Sequence, residues 1–246
     1  MNRFTNYNYQ TATKKVNDEG LRQYMIAIFN YMALALVITG TVAYFASQSE
    51  VFVKALYNVS NDGSGMSVSM FGWIVTFAPL IMAITLMSKI HSMSFSTAQT
   101  MFFGYALLIG LSLTSIFLVY TGESIARVFF ISASTFGAAA IYGQTTKKDL
   151  SSFGSFLMMG VFGIIFVSLV NIFLKSSAIT FATSLIGTFV FIGLTAYDMQ
   201  NLKNMYYQLG NNEEEVKKVS LLGALNLYLN FINIFIYMLR LLGERK

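Results

Sequence analysis

The last apolar stretch of the chain, Val219 to Leu242, carries a row of polar side chains at helical spacing. Successive members are three or four residues apart, so all project from one face of a helix: Asn226, Asn230, Asn233, Tyr237 and Arg240. The row would run about 21 Å along the helix axis, most of the roughly 30 Å hydrocarbon thickness of a bilayer. Unpaired amides and guanidinium groups are costly in hydrocarbon, so the row is expected to face other helices or water. Hydrogen bonding between helices would explain Asn and Tyr alone, whereas Arg240 favours a hydrated path.

A single carboxylate is placed to act with this row. Asp198 ends an apolar stretch with the sequence GLTAYD, and should lie near the cytoplasmic end of a membrane helix, at a depth similar to Asn230. A carboxylate there can bind a cation, exchange a proton, or pair with a base such as Lys89. The plainer interpretation is an interfacial anchor for the helix end.

The residues that most catalytic and metal sites need are scarce. The chain has one His and no Cys, which leaves little room for disulfides, zinc sites or thiol nucleophiles. The one His, His91, is predicted to be a solvated loop residue. No phosphate-binding Gly-rich loop, H-E-x-x-H, G-x-S-x-G or EF-hand pattern occurs in the sequence. We therefore expect neither an enzyme nor a bound cofactor.

Composition sets the fold class. Hydrophobic residues make up 55% of the 246 positions and charged residues 11%, and the charges cluster between long apolar runs, which is typical of an all-α polytopic membrane protein. The net charge of +5 comes from basic residues that flank these runs without an aromatic-interleaved patch. The expected partner is therefore the lipid bilayer and not nucleic acid.

The apolar runs predict seven transmembrane helices: 24–46, 70–87, 97–120, 125–142, 153–174, 178–197 and 219–242. We divide the chain into a mobile polar N-terminal tail (1–23), a seven-helix membrane domain (24–243) and a C-terminal tail (244–246). The second span contains Pro79, the only proline, which removes a helical hydrogen bond and favours a kink. Pro79 either shapes the packing or serves as a gate.

The distribution of Lys and Arg predicts a cytoplasmic N-terminus. One side collects Arg3, Lys14, Lys15, Arg22, Lys89, Lys147, Lys148, Lys203, Lys217 and Lys218, and the other Lys54, Arg127 and Lys175. Seven full crossings then place Arg245 and Lys246 outside, against the rule. In the alternative topology the seventh segment re-enters and returns the C-terminus to the cytoplasm.

Several motifs resemble the Bax-inhibitor family of membrane proteins, and the resemblance covers roughly residues 24–243. The motifs are GLTAYDMQ at 193–200, ALNLYLNFIN at 224–233, LRLLG at 239–243, YGQTTKKDLS at 142–151 and IGLSL at 109–113. The resemblance implies a seven-helix fold with the C-terminal helix central and six helices around it. It also implies a pH-sensitive calcium leak, with calcium as the permeant ion.

The resemblance further implies a sensor made of two aspartates on the last two helices. The first matches Asp198, but the second falls at Asn230, which cannot ionise and whose amide can instead donate a hydrogen bond to the Asp198 carboxylate. Two adjacent carboxylates share a proton and titrate as a coupled pair, so the sequence predicts a weakened, more acid-shifted pH response. Lys89 is the candidate for a basic latch on the sensor, and Arg240 matches a family arginine. Asp198 would hold calcium only weakly and transiently, because calcium prefers six to eight oxygen ligands.

Two other functions compete with the leak. The chain could be a non-conducting regulator of membrane proteins or of a membrane protease, as some bacterial relatives are thought to be. It could also be a proton-coupled transporter that uses Asp198. The composition favours a bacterial inner membrane over an endoplasmic reticulum.

Overall fold

The computed structural model describes residues 3–59, 66–209 and 212–246, with side chains described from residue 19 onward except at 59 and 66. A small antiparallel hairpin pairs β1 (Tyr57–Val59) with β2 (Met66–Val68), and a 3₁₀ turn covers Ile90–Ser92. The helices are α1 (Arg3–Gln48), α2 (Glu50–Leu56), α3 (Met70–Lys89), α4 (Phe95–Ser112), α5 (Thr114–Val119), α6 (Gly122–Thr145), α7 (Ser151–Leu174), α8 (Ser177–Gln208) and α9 (Glu213–Leu242).

The described residues contain seven helical segments long and apolar enough to cross a membrane, which confirms the predicted fold class. They are Glu19–Gln48 of α1, Met70–Ser92, Phe95–Val119, and the whole of α6, α7, α8 and α9. Their outward faces carry many exposed large apolar side chains, such as Phe173 and Phe166. In water such faces would be unfavourable, whereas hydrocarbon accommodates them. The chain is an integral membrane protein.

The last helix is the most enclosed of the seven. In the apolar part of α9, 72% of the residues are buried, against 44% for α8 and 11% for α7. Its main partners are α1, α4, α6 and α8, while α3 packs chiefly on α4 and α7 on α8. The expectation of six helices around the last one is therefore not confirmed in that form, because α3 and α7 pack mainly on helices of this inner group.

The helices on the Asp198 side are longer than hydropathy predicts. α8 continues to Gln208, ten residues beyond Asp198, and α9 begins at Glu213 instead of Val219. The Asn212 side chain caps α9 by accepting a hydrogen bond from the backbone N–H of Glu215. Acidic residues in a first turn complement the helix dipole, and Glu214 pairs with Lys218 at 3.0 Å. The Asn212 cap and the charged first turns thus extend α9 past its apolar segment.

The connection between α1 and α3 contains α2 and the β-hairpin. Ser69 accepts from the backbone N–H of Gly72 and so caps α3. Between the two strands, the sequence Asp62-Gly63-Ser64-Gly65 predicts a flexible segment, which lies outside the described residues. At the N-terminus α1 is helical from Arg3, and the division into tail and membrane domain stays a prediction.

The C-terminal residues pair with the connection before α6. The backbone N–H of Thr121 donates to the carbonyl of Glu244 at 3.0 Å, and the N–H of Lys246 to that of Val119 at 2.9 Å. Arg127 and Glu244 form an ion pair at 2.7 Å. The C-terminus therefore lies at the start of α6, at the opposite end of that helix from Thr145. α9 crosses the whole bundle, and the re-entrant alternative is not what the structure shows.

A buried polar cluster joins α1, α4 and α9. The Thr39 hydroxyl donates to the carbonyl of Ala106 at 2.8 Å and lies 2.6 Å from the Tyr228 hydroxyl. Tyr228 is fully buried.

We expect Tyr228→Phe to lower the free energy of unfolding by about 0.5–1.5 kcal/mol, the range for one hydrogen bond between membrane helices. Unfolding of the purified chain in mixed micelles measures it. Tyr142→Phe, at a half-exposed tyrosine of α6, is the control, and equal losses in both variants would contradict the role of this cluster.

Candidate functional site

The predicted pair of Asp198 and Asn230 is brought together between α8 and α9. The Asn230 amide Nδ2 donates to Asp198 Oδ2 at 2.7 Å. Asn230 is only 5% exposed, and Asp198 is half-buried. A charged carboxylate that accepts an amide hydrogen bond in an apolar setting fixes both side chains strongly. The predicted similar depth of Asp198 and Asn230, and the predicted hydrogen bond between them, agree with this geometry.

Buried apolar side chains precede and follow both members of the pair along their helices. On α8, Leu194 and Met199 flank Asp198, and on α9 Leu227 and Phe231 flank Asn230; all four are buried. The nearby Thr195 hydroxyl donates to the carbonyl of Phe191 within its own helix, so it does not compete for the carboxylate. The site thus joins one ionisable group to one neutral amide inside a largely apolar helix interface.

The other members of the polar row on α9 make different contacts. Asn233 donates to the carbonyl of Leu229 in its own helix, at 2.8 Å, and Asn226 is half-buried. Tyr237 stacks on Phe191 of α8 with the ring centroids 5.9 Å apart. The exposed Arg240 guanidinium lies 5.6 Å from the centre of the Tyr237 ring. The row therefore turns toward α8 at Asn230 and Tyr237 and reaches the surface at Arg240, without a continuous chain of hydrogen bonds.

Two further predicted residues lie on α3. Lys89 is exposed at the end of that helix, and among the described side chains it forms no ion pair with Asp198. The latch is thus not formed in this conformation. Pro79 is buried, and α3 remains helical on both sides of it.

Sequence reasoning missed two polar contacts. One is the cluster of Thr39 and Tyr228; Tyr228 stands between two leucines, so periodicity gives no sign of a hydrogen bond. The other joins His91, predicted to be solvated, to Glu215 at the start of α9, with 2.5 Å between Nδ1 and Oε1. His91 remains 67% exposed, so the contact is superficial. An unpaired His and an acidic triplet in distant parts of a sequence give no signal that they meet.

The connection between α6 and α7 is held against α8 close to Asp198. Gln200 accepts from the backbone N–H of Leu150 and donates to the carbonyl of Lys148, each at 2.8 Å. In the same connection, hydrogen bonds from Ser151 hold the pKa of Asp149 below its ordinary value. The two hydrogen bonds of Gln200 hold the basic residues Lys147 and Lys148 beside the candidate site.

Comparisons with known proteins agree with the motifs. The family profile described as "Inhibitor of apoptosis-promoting Bax1" matches residues 21–246. A Rickettsia prowazekii protein is 48% identical over 236 residues, which covers 96% of this chain and 95% of that protein. A Caulobacter vibrioides protein is 43% identical over 229 residues, covering 93% and 91%. The inner membrane protein YbhL of Escherichia coli is 42% identical over 228 residues, covering 92% and 94%.

Proposed function

The chain belongs to the Bax-inhibitor family, as a bacterial member, and on that basis we propose that it is a calcium-permeable leak channel with weakened pH sensing. The observation that carries the proposal is the hydrogen bond between Asp198 and Asn230. The family resemblance implies two aspartates at these positions. Here the partner of the single carboxylate is an amide, which donates a hydrogen bond and holds the two helices together without a shared proton.

Weak binding of the ion suits such a leak. Conduction requires a site that a cation enters readily and leaves readily. Asp198 offers one carboxylate, and one of its oxygens is already engaged by Asn230, so the pair falls well short of the six to eight oxygens of a tight calcium site. We propose that Asp198 attracts calcium transiently, with Pro79 as a candidate hinge of the gate and Lys89 as a latch formed in another state.

The proposed location is the bacterial inner membrane. The Escherichia coli relative is named an inner membrane protein and matches over nearly the whole length of both chains. A cytoplasmic N-terminus is supported by the concentration of basic residues on one side of the bundle. They lie near the N-terminus and at Lys147, Lys148 and Lys203. This orientation puts the Asp198 side of the bundle toward the cytoplasm.

Neutralising the carboxylate tests its role. We expect Asp198→Asn to lower calcium flux into liposomes at least about fivefold, because one unit charge at contact distance contributes 1 kcal/mol or more to attracting a cation. An Asn–Asn pair can keep the helices hydrogen-bonded. Asp149→Asn is the matched control, since Asp149 is an exposed carboxylate at the same end of the bundle, and its flux should equal that of the wild type. Equal flux in all three proteins would remove Asp198 from the pathway.

The same preparation separates the competing functions. A regulator of membrane proteins or of a membrane protease predicts no flux in liposomes that contain the purified chain alone. A proton-coupled transporter predicts uptake that follows an imposed pH gradient and stops when the gradient is collapsed. The leak predicts flux down the calcium gradient with no pH gradient present.

A further inference from the structure

A long apolar groove runs between α1 and α6. α1 packs mainly on α4, α5 and α9, and α6 mainly on α8 and α9, so the two helices diverge and α9 forms the floor between them. One cavity of about 660 Å³ and a second of about 390 Å³ adjoin in this groove, because both are lined by Leu36, Phe129 and Phe231. The groove opens toward the surrounding lipid.

The length of the groove matches the membrane. On α6 its lining extends from Gly122 to Gln144, about 33 Å at 1.5 Å per residue, against roughly 30 Å of hydrocarbon. The part between Phe129 and Gln144 alone spans about 22 Å, which is enough for one acyl chain of a single leaflet. Its lining is almost entirely apolar, so a lipid tail fits it better than any polar ligand.

A basic cavity begins where the apolar groove ends. It has a volume of about 280 Å³, and Gln144 lines both it and the groove. Lys203 lies one helical turn beyond Met199, which lines the groove, so the two share a face of α8. The Lys203 ammonium donates to the carbonyl of Gln144 at 3.2 Å and keeps two further donors. Lys203 therefore stands at the mouth of the groove.

The charge of this cavity favours an anion. Lys147, Lys148 and Lys203 line it together with one carboxylate, Asp149. Asp149 Oδ1 accepts from the backbone N–H of Ser151, so part of its charge is already directed to the start of α7. Gln200 fixes the backbone of this segment through Lys148 and Leu150. Three ammonium groups thus outnumber one engaged carboxylate just beyond the end of the apolar groove.

We propose that the groove and the basic cavity together bind one anionic phospholipid. One acyl chain lies along α6 from Gln144 toward Phe129, and the headgroup phosphate contacts Lys147, Lys148 and Lys203. A basic pocket between membrane helices supplies the charge that distinguishes an anionic headgroup from a zwitterionic one. The groove supplies the shape that distinguishes a lipid from a free phosphate.

Native mass spectrometry of the purified full chain tests the headgroup part. The detergent-solubilised protein is titrated with phosphatidylglycerol or with phosphatidylcholine of the same acyl chains. We expect the wild type to bind phosphatidylglycerol more tightly, and Lys203→Gln to weaken that binding about fivefold, the contribution of one lysine near an anionic lipid. Lys203→Arg should retain it. Lys175→Gln, at an exposed lysine of the opposite end, should bind like the wild type. Equal binding of the two lipids by the wild type, or equal effects of Lys203→Gln and Lys175→Gln, would overturn the proposal.

A pair of glycine variants tests the groove. A Cβ at Gly137, which lines the groove, meets no atom within 4 Å, and the same holds at Gly163 on the exposed face of α7. Gly137→Leu should fill the groove and lower phosphatidylglycerol binding toward the phosphatidylcholine level, whereas Gly163→Leu should not. Ala133→Leu, also in the groove, serves if Gly137→Leu does not fold. Unchanged binding in the groove variant, or displacement of the lipid by an equal concentration of inorganic phosphate, would overturn the lipid assignment.

Discussion

Replacing Asn230 with Asp is expected to turn a calcium leak with little pH dependence between pH 8 and pH 6 into one that is gated steeply in that range. The amide and the carboxylate are 2.7 Å apart, and two carboxylates at such a distance cannot both ionise without strong repulsion. They share one proton, and its loss drives the two side chains, and with them α8 and α9, apart. The measurement is calcium flux into dye-loaded liposomes as a function of pH.

The chain offers a matched control one turn along the same helix. Asn233 donates to the carbonyl of Leu229 in its own helix, so Asn233→Asp adds a carboxylate without creating the pair. Its flux should keep the pH profile of the wild type. A steep response near neutrality in the wild type that Asp198→Asn abolishes and Asn230→Asp leaves unchanged would refute this account of the pair.

Gly143→Ala is expected to destabilise the fold by about 1–3 kcal/mol, the usual cost of overpacking. A Cβ at Gly143 would overlap the backbone carbonyl of Ala196 on α8, and backbone cannot move aside as a flexible side chain can. Ala196 lies two residues before Asp198, so the helices would separate at the candidate site. The free energy of unfolding in mixed micelles measures the loss.

Gly137→Ala controls for the change of residue type. It lies on the same helix, and an added Cβ there meets nothing within 4 Å. Because Ala is favoured over Gly inside helices by up to about 1 kcal/mol, this variant should be as stable as the wild type or more so. If both variants lost the same stability, close approach of α6 and α8 at Gly143 would not be the reason.

The sequence predicts the membrane spans well because hydropathy reports directly on transfer into hydrocarbon. It predicts the Asp198–Asn230 contact because two adjacent spans run antiparallel and place residues at matching depths. It does not predict that α8 continues to Gln208 or that α9 begins at Glu213. Both extensions lie beyond the apolar segments, and at the start of α9 the Asn212 cap and the ion pair of Glu214 with Lys218 stabilise the helix without a hydropathy signal.

The sequence also does not predict contacts that depend on how each helix is rotated about its own axis. Periodicity places Asn226, Asn233 and Tyr237 on one face, but the neighbours of each depend on how α9 packs against the other helices. The sequence also does not predict that α1, α4, α6 and α8 are the helices that pack on α9. A hydropathy pattern identifies the spans but does not say which of them are neighbours. The sequence also cannot predict whether Lys89 pairs with Asp198, because the distance between them depends on packing between helices that are far apart in the chain.

Calcium influx into dye-loaded liposomes that contain only the purified wild-type chain would show whether the chain itself conducts calcium. A calcium leak with weakened pH sensing predicts influx above that of protein-free liposomes at every pH from 8 to 6, with little change across the range. Influx no greater than in protein-free liposomes would contradict the leak and leave the chain as a regulator that acts through a partner.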